Sequence, residues 1–183
     1  MNKKNNLTIL AVDLNHTLIK TDMIHLGIKY ILKYKILLVI SLLITFIFKG
    51  KPGAKKFLYD NTIIDITKLP YNNDVISYIN ISKQEYDLII LISGSYYKYV
   101  QLISNYLNIF DEAVGTTDNY NMISFNKVTY LRNKYPNVTF DYIGDSKKDI
   151  PIWNLSRKAL VVKRGNILRH IKNLDFKVIS HIN

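Results

Sequence analysis

Three carboxylates, one lysine and a few small hydroxyl residues, most of them just past an apolar run, are the side chains best placed to do chemistry. Residues 7–18, LTILAVDLNHTL, are rich in β-branched and aliphatic residues until the run stops at Asp13, with Asn15 two positions on and Thr17 four. Such a run reads as a buried parallel strand. In open α/β sheets the ligand crevice lies outside the carboxyl ends of the strands, so Asp13 can point into it. The same residues also suit a plain solvated turn. A second run, 87–95 (DLIILISGS), ends in Ser93, Gly94 and Ser95, which suit close backbone approach to an anion. A third, 140–149 (FDYIGDSKKD), stops at Gly144-Asp145 with Asp149 four residues on, and Lys127 falls between the second and third runs near the start of a predicted helix.

The intervening stretches must hold these tips together. Helical spacing is expected over 18–30, with Thr21-Asp22 as its cap. Residues 36–48, ILLVISLLITFIF, are almost uninterruptedly apolar and flanked by Lys33, Lys35, Lys49 and Lys51. Spanning a bilayer takes roughly 18 to 20 apolar residues, so two readings remain: a buried helix, or a helix on a membrane surface with its lysines toward anionic headgroups. Gly50 to Pro52 breaks the run, and 54–66 looks helical again, making an all-helical insertion of about fifty residues before the second strand. Further helices are expected at 72–82, 96–107, 124–135 and from Pro151, strands at 113–116 and 159–162, and a last helix at 167–173.

In this order the pieces resemble the motif set of the haloacid dehalogenase-like (HAD) superfamily of phosphoryl-transfer enzymes. Asp13 to Thr17 stands where that family has DxDxT, Ser93 is the hydroxyl, Lys127 the lysine, and Gly144-Asp145 to Asp149 the GDxxxD. The likeness covers about 7–162. Within the superfamily, Leu69-Pro70-Tyr71-Asn72, Ile109-Phe110-Asp111-Glu112 and the stretch from Phe140 through Trp153 look like the HAD domain of bacterial proteins that also carry a UbiA-type prenyltransferase. The resemblance implies an α/β fold, a Rossmann-like parallel sheet, with core 1–19 and 69–183 and a helical cap, 20–68, inserted after the first strand and closing over the site.

The resemblance also assigns roles. Asp13 is the nucleophile, forming an aspartyl-phosphate that water hydrolyses. Mg²⁺ is held by Asp13, the main-chain carbonyl of Asn15 and Asp145, with Asp149 orienting one of its waters. Ser93 and Gly94 seat a phosphate oxygen, Lys127 supplies positive charge, and Thr17 supports the loop. Simpler readings stand beside these: a surface lysine for Lys127, a helix-start carboxylate for Asp149, a plain turn at Ser93. Asn15 departs from the pattern, because phosphatases of the superfamily normally carry there a second aspartate that protonates the leaving oxygen. Asparagine cannot transfer a proton, and losing a general acid typically costs about 10² to 10⁴ in rate. The expected function is therefore Mg²⁺-dependent hydrolysis of phosphomonoesters, favouring aryl phosphates such as phosphotyrosine, whose phenol leaves more readily than an alcohol. The alternative is a catalytically weak or idle domain binding an anionic membrane or a protein. His16 is adjacent to the gap but is expected to point elsewhere.

Composition bounds these readings. At 183 residues and 48% hydrophobic, the chain has room for one domain with a real core. Its 25 basic and 14 acidic residues give +11, which favours anionic partners: a phosphorylated small molecule, a phosphotyrosine protein or an anionic membrane surface. No nucleic-acid-binding motif is found. The absence of cysteine excludes disulfides, thiolate metal sites and thiol nucleophiles. The polar opening MNKKNN does not read as a secretory signal. A cytoplasmic location is expected, peripheral at a membrane in one reading, with translocation by another signal left open.

Overall fold

The computed structural model describes residues 7–182; residues 1–6, read above for a signal, lie outside them. In chain order the elements are β1 (Thr8–Val12), α1 (Met23–Tyr34), α2 (Leu38–Asn61), α3 (Asn73–Ser82), β2 (Leu88–Tyr96), α4 (Tyr97–Leu107), β3 (Glu112–Thr116), α5 (Phe125–Lys134), β4 (Thr139–Gly144), α6 (Ile150–Trp153), β5 (Ala159–Arg164), α7 (Ile167–His170) and β6 (Phe176–Ile182). The six strands form one parallel sheet in the order β3-β2-β1-β4-β5-β6. β1 is central because its residues are apolar on both faces: Leu10 and Val12 join one core layer, Ile9 and Ala11 the other. Val75 and Ile79 of α3 and Val100 and Ile103 of α4 cover the first face, and Val128, Leu131, Ile152 and Trp153 cover the second. The chain builds outward from β1 through β2 and β3, then returns to β4 on the other side. The order thus reverses between β1 and β4, where such sheets open a crevice.

Between β1 and β2 the chain is helical, as expected, with several changes of boundary. Residues 18–22 are a turn: Leu18 N donates to Asp13 O, and Ile19 bridges to Asn15 and Tyr71. The first helix therefore begins at Met23, with Asp22 Oδ1 accepting from Ile24 N (2.7 Å) and His25 N (3.2 Å). α2 kinks at Gly50, whose φ of 61° and ψ of −162° suit only glycine, and Pro52 opens the second half. That half ends at Asn61, not 66, where Thr62 turns extended. Gly27 lets α1 approach it, since a Cβ there would lie 3.3 Å from Leu58 Cβ. Of the two readings of 36–48, the buried helix is overturned: Leu37 is 87% exposed, Ile47 74% and Phe48 82%. No helix among the described residues is long and apolar enough to cross a membrane.

Two further expectations change. β2 runs through the Ser-Gly-Ser stretch to Tyr96, so α4 opens two residues after Ser95, and Ser95 N is already bonded to Ser93 Oγ (3.1 Å) rather than free for an anion. The last helix is a single turn ending at His170, followed by the unanticipated edge strand β6.

Candidate active site

The switch between β1 and β4 gathers the carboxylates and the lysine. Asp13 directly follows β1, and its N–H continues the ladder to Ile143 O (3.0 Å). Its Oδ1 accepts from Lys127 Nζ at 2.7 Å. Lys127 lies in the first turn of α5 and is buried, so the surface-lysine reading fails. The ammonium also donates to Tyr142 Oη (2.6 Å), which donates in turn to Asp149 Oδ1 (2.7 Å). Burial and the neighbouring Asp149 and Asp13 carboxylates hold the Tyr142 phenol well above its usual range, so it stays a neutral donor. Asp149 Oδ2 accepts from Asp145 N (3.2 Å), Ser146 N (3.0 Å) and Ser146 Oγ (2.9 Å), pinning the loop after β4. Gly144 is required beneath that loop, since a Cβ would lie 2.7 Å from Tyr142 Cε1 and 2.8 Å from Asp149 Cγ.

Asp145 is left with unmet capacity. Arg164 Nε lies 3.0 Å from its Oδ2 at ion-pair distance, but not in hydrogen-bonding geometry, and among the described residues that buried oxygen has no hydrogen-bond partner. Burial, Asp13 and Asp149 raise its carboxyl to about 8; burial, only partly offset by Lys127, raises Asp13 to about 6. Oxygens of Asp13, Asp145 and Asp149 lie within 4.8 Å of one another, faced closely by Lys127 and Arg164. Three crowded carboxylates against two cations, one of them with an unpartnered oxygen, fit a hard divalent cation with oxygen ligands. Asp13 and Asp145 have the open oxygens. Both oxygens of Asp149 are engaged, which suits it to hold the loop.

The other motif residues are placed as follows. Asn15 Nδ2 donates to Ser95 Oγ (2.9 Å), and its Oδ1 accepts from Met23 N (3.2 Å). Ser93 is fully buried at the end of β2; Gly94 beside it lines the cavity over Asp13. Thr17 is buried with its hydroxyl unpartnered among the described residues. His16 does line the cavity, contrary to expectation, on a left-handed backbone (φ 55°). Burial and Arg164 lower its pKa, so it is largely neutral at pH 7.

The cavity holds about 570 Å³. Its floor carries Asp13, Lys127, Asp145 and Asp149, and α1 and α2 supply an apolar wall of Ile24, Ile28, Leu42, Leu43, Phe46 and Leu58. Lys55 from the second half of α2 is the functional candidate that sequence reading missed. It is buried, donates to Asn121 Oδ1 (2.6 Å) and Thr116 Oγ1 (3.3 Å), and burial lowers its ammonium to about 8. In the sequence it is one lysine among several on an apparently solvated helix, and only its long-range partners distinguish it.

The chain has the fold of HAD-family hydrolases. It superposes on a HAD family hydrolase from Salmonella enterica serovar Typhi with a TM-score of 0.63 at 15% identity, covering 96% of this chain and 67% of that one. A phosphoserine phosphatase in apo form gives 0.64 at 13% identity over 96% and 94% of the two chains. A protein of unknown function from Bordetella pertussis Tohama I gives 0.69 at 11% identity over 96% and 100%. In sequence, the chain is 28% identical over 156 residues to the uncharacterized protein y4nM of Sinorhizobium fredii (strain NBRC 101917 / NGR234). That match covers 85% of this chain, which spans only about 30% of the relative's length. No family model matches.

Proposed function

We propose that this domain is a Mg²⁺-dependent phosphohydrolase in which Asp13 is the nucleophile. The observation that carries the reading is the buried chain Asp13–Lys127–Tyr142–Asp149, with Asp145 beside it, at the reversal point of the sheet. Lys127 keeps one Asp13 oxygen oriented, leaving the other to attack phosphorus. The bond from Asp13 to phosphorus forms as the bond to the leaving oxygen breaks. Water then attacks the aspartyl-phosphate, releasing phosphate and restoring the carboxylate. Mg²⁺, held by Asp13, Asp145 and the Asn15 carbonyl, would supply positive charge to the phosphoryl oxygens. Ser93, Gly94 and Lys127 complete the anion seat, Asp149 fixes the Asp145 loop, and Thr17 supports the turn.

Asn15 sets the substrate preference in this proposal. It carries no transferable proton, and its amide is occupied with Ser95 and Met23. The departing oxygen must therefore leave unassisted or take its proton from water, which favours a phenol, pKa about 10, over an alkyl alcohol. Aryl phosphates, phosphotyrosine among them, follow as the preferred class, and the apolar wall can receive an aromatic ring. Kinship with HAD domains that accompany UbiA-type prenyltransferases is part of the proposal, on the motifs quoted above, as is the division into a core and a cap over 20–68.

The deciding measurement is hydrolysis of p-nitrophenyl phosphate and a phosphotyrosine peptide, with and without Mg²⁺, by this chain and by Asp13→Ala. Metal-dependent turnover lost in Asp13→Ala is the expected result; turnover that survives the substitution removes Asp13 as nucleophile. A second reading, peripheral binding to an anionic membrane, is favoured by the exposed apolar face of α2 beside Lys33, Lys35, Lys49 and Lys51. Sedimentation with anionic liposomes is then expected to weaken with salt; no sedimentation at low salt removes this reading.

A further inference from the structure

Leu43 and Phe46 belong to two surfaces at once. They line the cavity above Asp13, yet they are 56% and 48% exposed. The apolar wall therefore does not close at its outer end but continues onto the exposed side of α2, where Ile40 and Ile47 follow. A phosphoryl group needs only the polar floor. The rest of the 570 Å³, a volume in the range of drug-sized ligand sites, is walled by Ile24, Ile28, Leu42 and Leu58 as well. A sugar or amino-acid phosphate would leave that wall facing hydroxyls or charges. An aliphatic chain would remove it from water.

We infer that the site binds a phosphorylated amphiphile, with the phosphoryl group at Asp13 and an apolar tail lying along α2 between Leu43 and Phe46 to the outside. This rests on the proposed seat of the phosphate at Asp13. Lys55 and Lys51, also at the cavity, place further positive charge on the headgroup side. The tail chemistry is common to a free alkyl phosphate and to a phosphorylated lipid presented by a bilayer.

The test is calorimetric binding, in the presence of Mg²⁺, of inorganic phosphate and of butyl, hexyl and octyl phosphate. Kd is expected to fall about two- to fourfold for each methylene added beyond butyl. That slope should collapse in Leu43→Asn/Phe46→Asn and persist in Ile36→Asn/Leu37→Asn, which alters exposed residues away from the cavity; thermal melting checks that both variants are folded. A Kd independent of tail length, an unchanged slope in the first variant, or loss of the slope only in the second would overturn the inference. Displacement of octyl phosphate by vesicles containing phosphatidic acid, but not by phosphatidylserine vesicles, assigns the tail to a lipid; displacement by neither assigns it to a free ester, and either assignment keeps the tail site. Phosphate release is read on the aryl ester p-nitrophenyl phosphate under the same conditions. Tail-dependent binding with no release from that ester refutes the hydrolase and keeps the tail site, whereas release from it with no tail dependence in binding does the opposite.

Discussion

Replacing Asn15 by aspartate should convert the narrow leaving-group range proposed for this site into a broad one. The structure can accept the change. Asn15 Oδ1 already accepts from Met23 N–H and, at 3.2 Å, from Ser95 Oγ, and the second oxygen of a carboxylate, standing where Nδ2 now lies 2.9 Å from Ser95 Oγ, would accept from that same hydroxyl. No buried donor is orphaned, and the N-terminus of α1 favours negative charge by about 0.3–1 kcal/mol. The gain is the missing acid and base, typically about 10² to 10⁴ in rate, or roughly 2.7–5.4 kcal/mol of barrier. That gain should appear in full for an alkyl phosphate and be much smaller for an aryl phosphate, whose leaving oxygen needs the proton less. Steady-state kcat/KM for a matched aryl and alkyl pair, at pH 7 with saturating Mg²⁺, reads the difference. Equal gains for the two esters, or no gain for the alkyl ester in a folded variant, would refute the reasoning.

Tyr142→Phe should destabilise the fold by about 1–3 kcal/mol in urea unfolding, because Lys127 and Asp149 each lose a buried partner; an unchanged midpoint would mean that the phenol bridges nothing of consequence. Lys55, lowered from 10.5 to about 8 in the folded chain, holds fewer protons there than when unfolded. Between those values its contribution to stability therefore rises with pH, and this rise should vanish from the difference between wild type and Lys55→Met. Phosphate affinity should weaken above about pH 8 in the wild type but not through this group in Lys55→Met; matching pH profiles in the two proteins would remove Lys55 from the anion seat.

What the sequence disclosed was whatever depends on local pattern. The continuous apolar run of β1 predicts a strand buried on both faces, and the strand-end position of Asp13 follows from it, as that of Asp145 follows from the run beginning at Phe140. What it concealed depends on contacts distant in the chain. Residues 18–22 have helical spacing, but the bridges from Ile19 to Asn15 and Tyr71 hold them in a turn. β6 escaped notice because polar residues interrupt its seven positions and it pairs only along one side. The burial of Lys127 was signalled by motif order alone, and nothing local separates Lys55 from its solvated neighbours. Composition left the run over 36–48 open between core and a membrane surface, and α2 carries it outside the core.

The hydrogen bond from Met23 N to Asn15 Oδ1 has a mechanical consequence. It rivets the base of the helical insertion to the loop after the central strand, at the first residue of α1, while the articulation available to α2 lies midway along it at Gly50. A swing of the whole insertion would have to shear that rivet; a flexing of the distal half alone would not. Substrate admission would then resemble bending a flap at its crease more than lifting a lid at its frame, with Asn15 the residue keeping the frame shut.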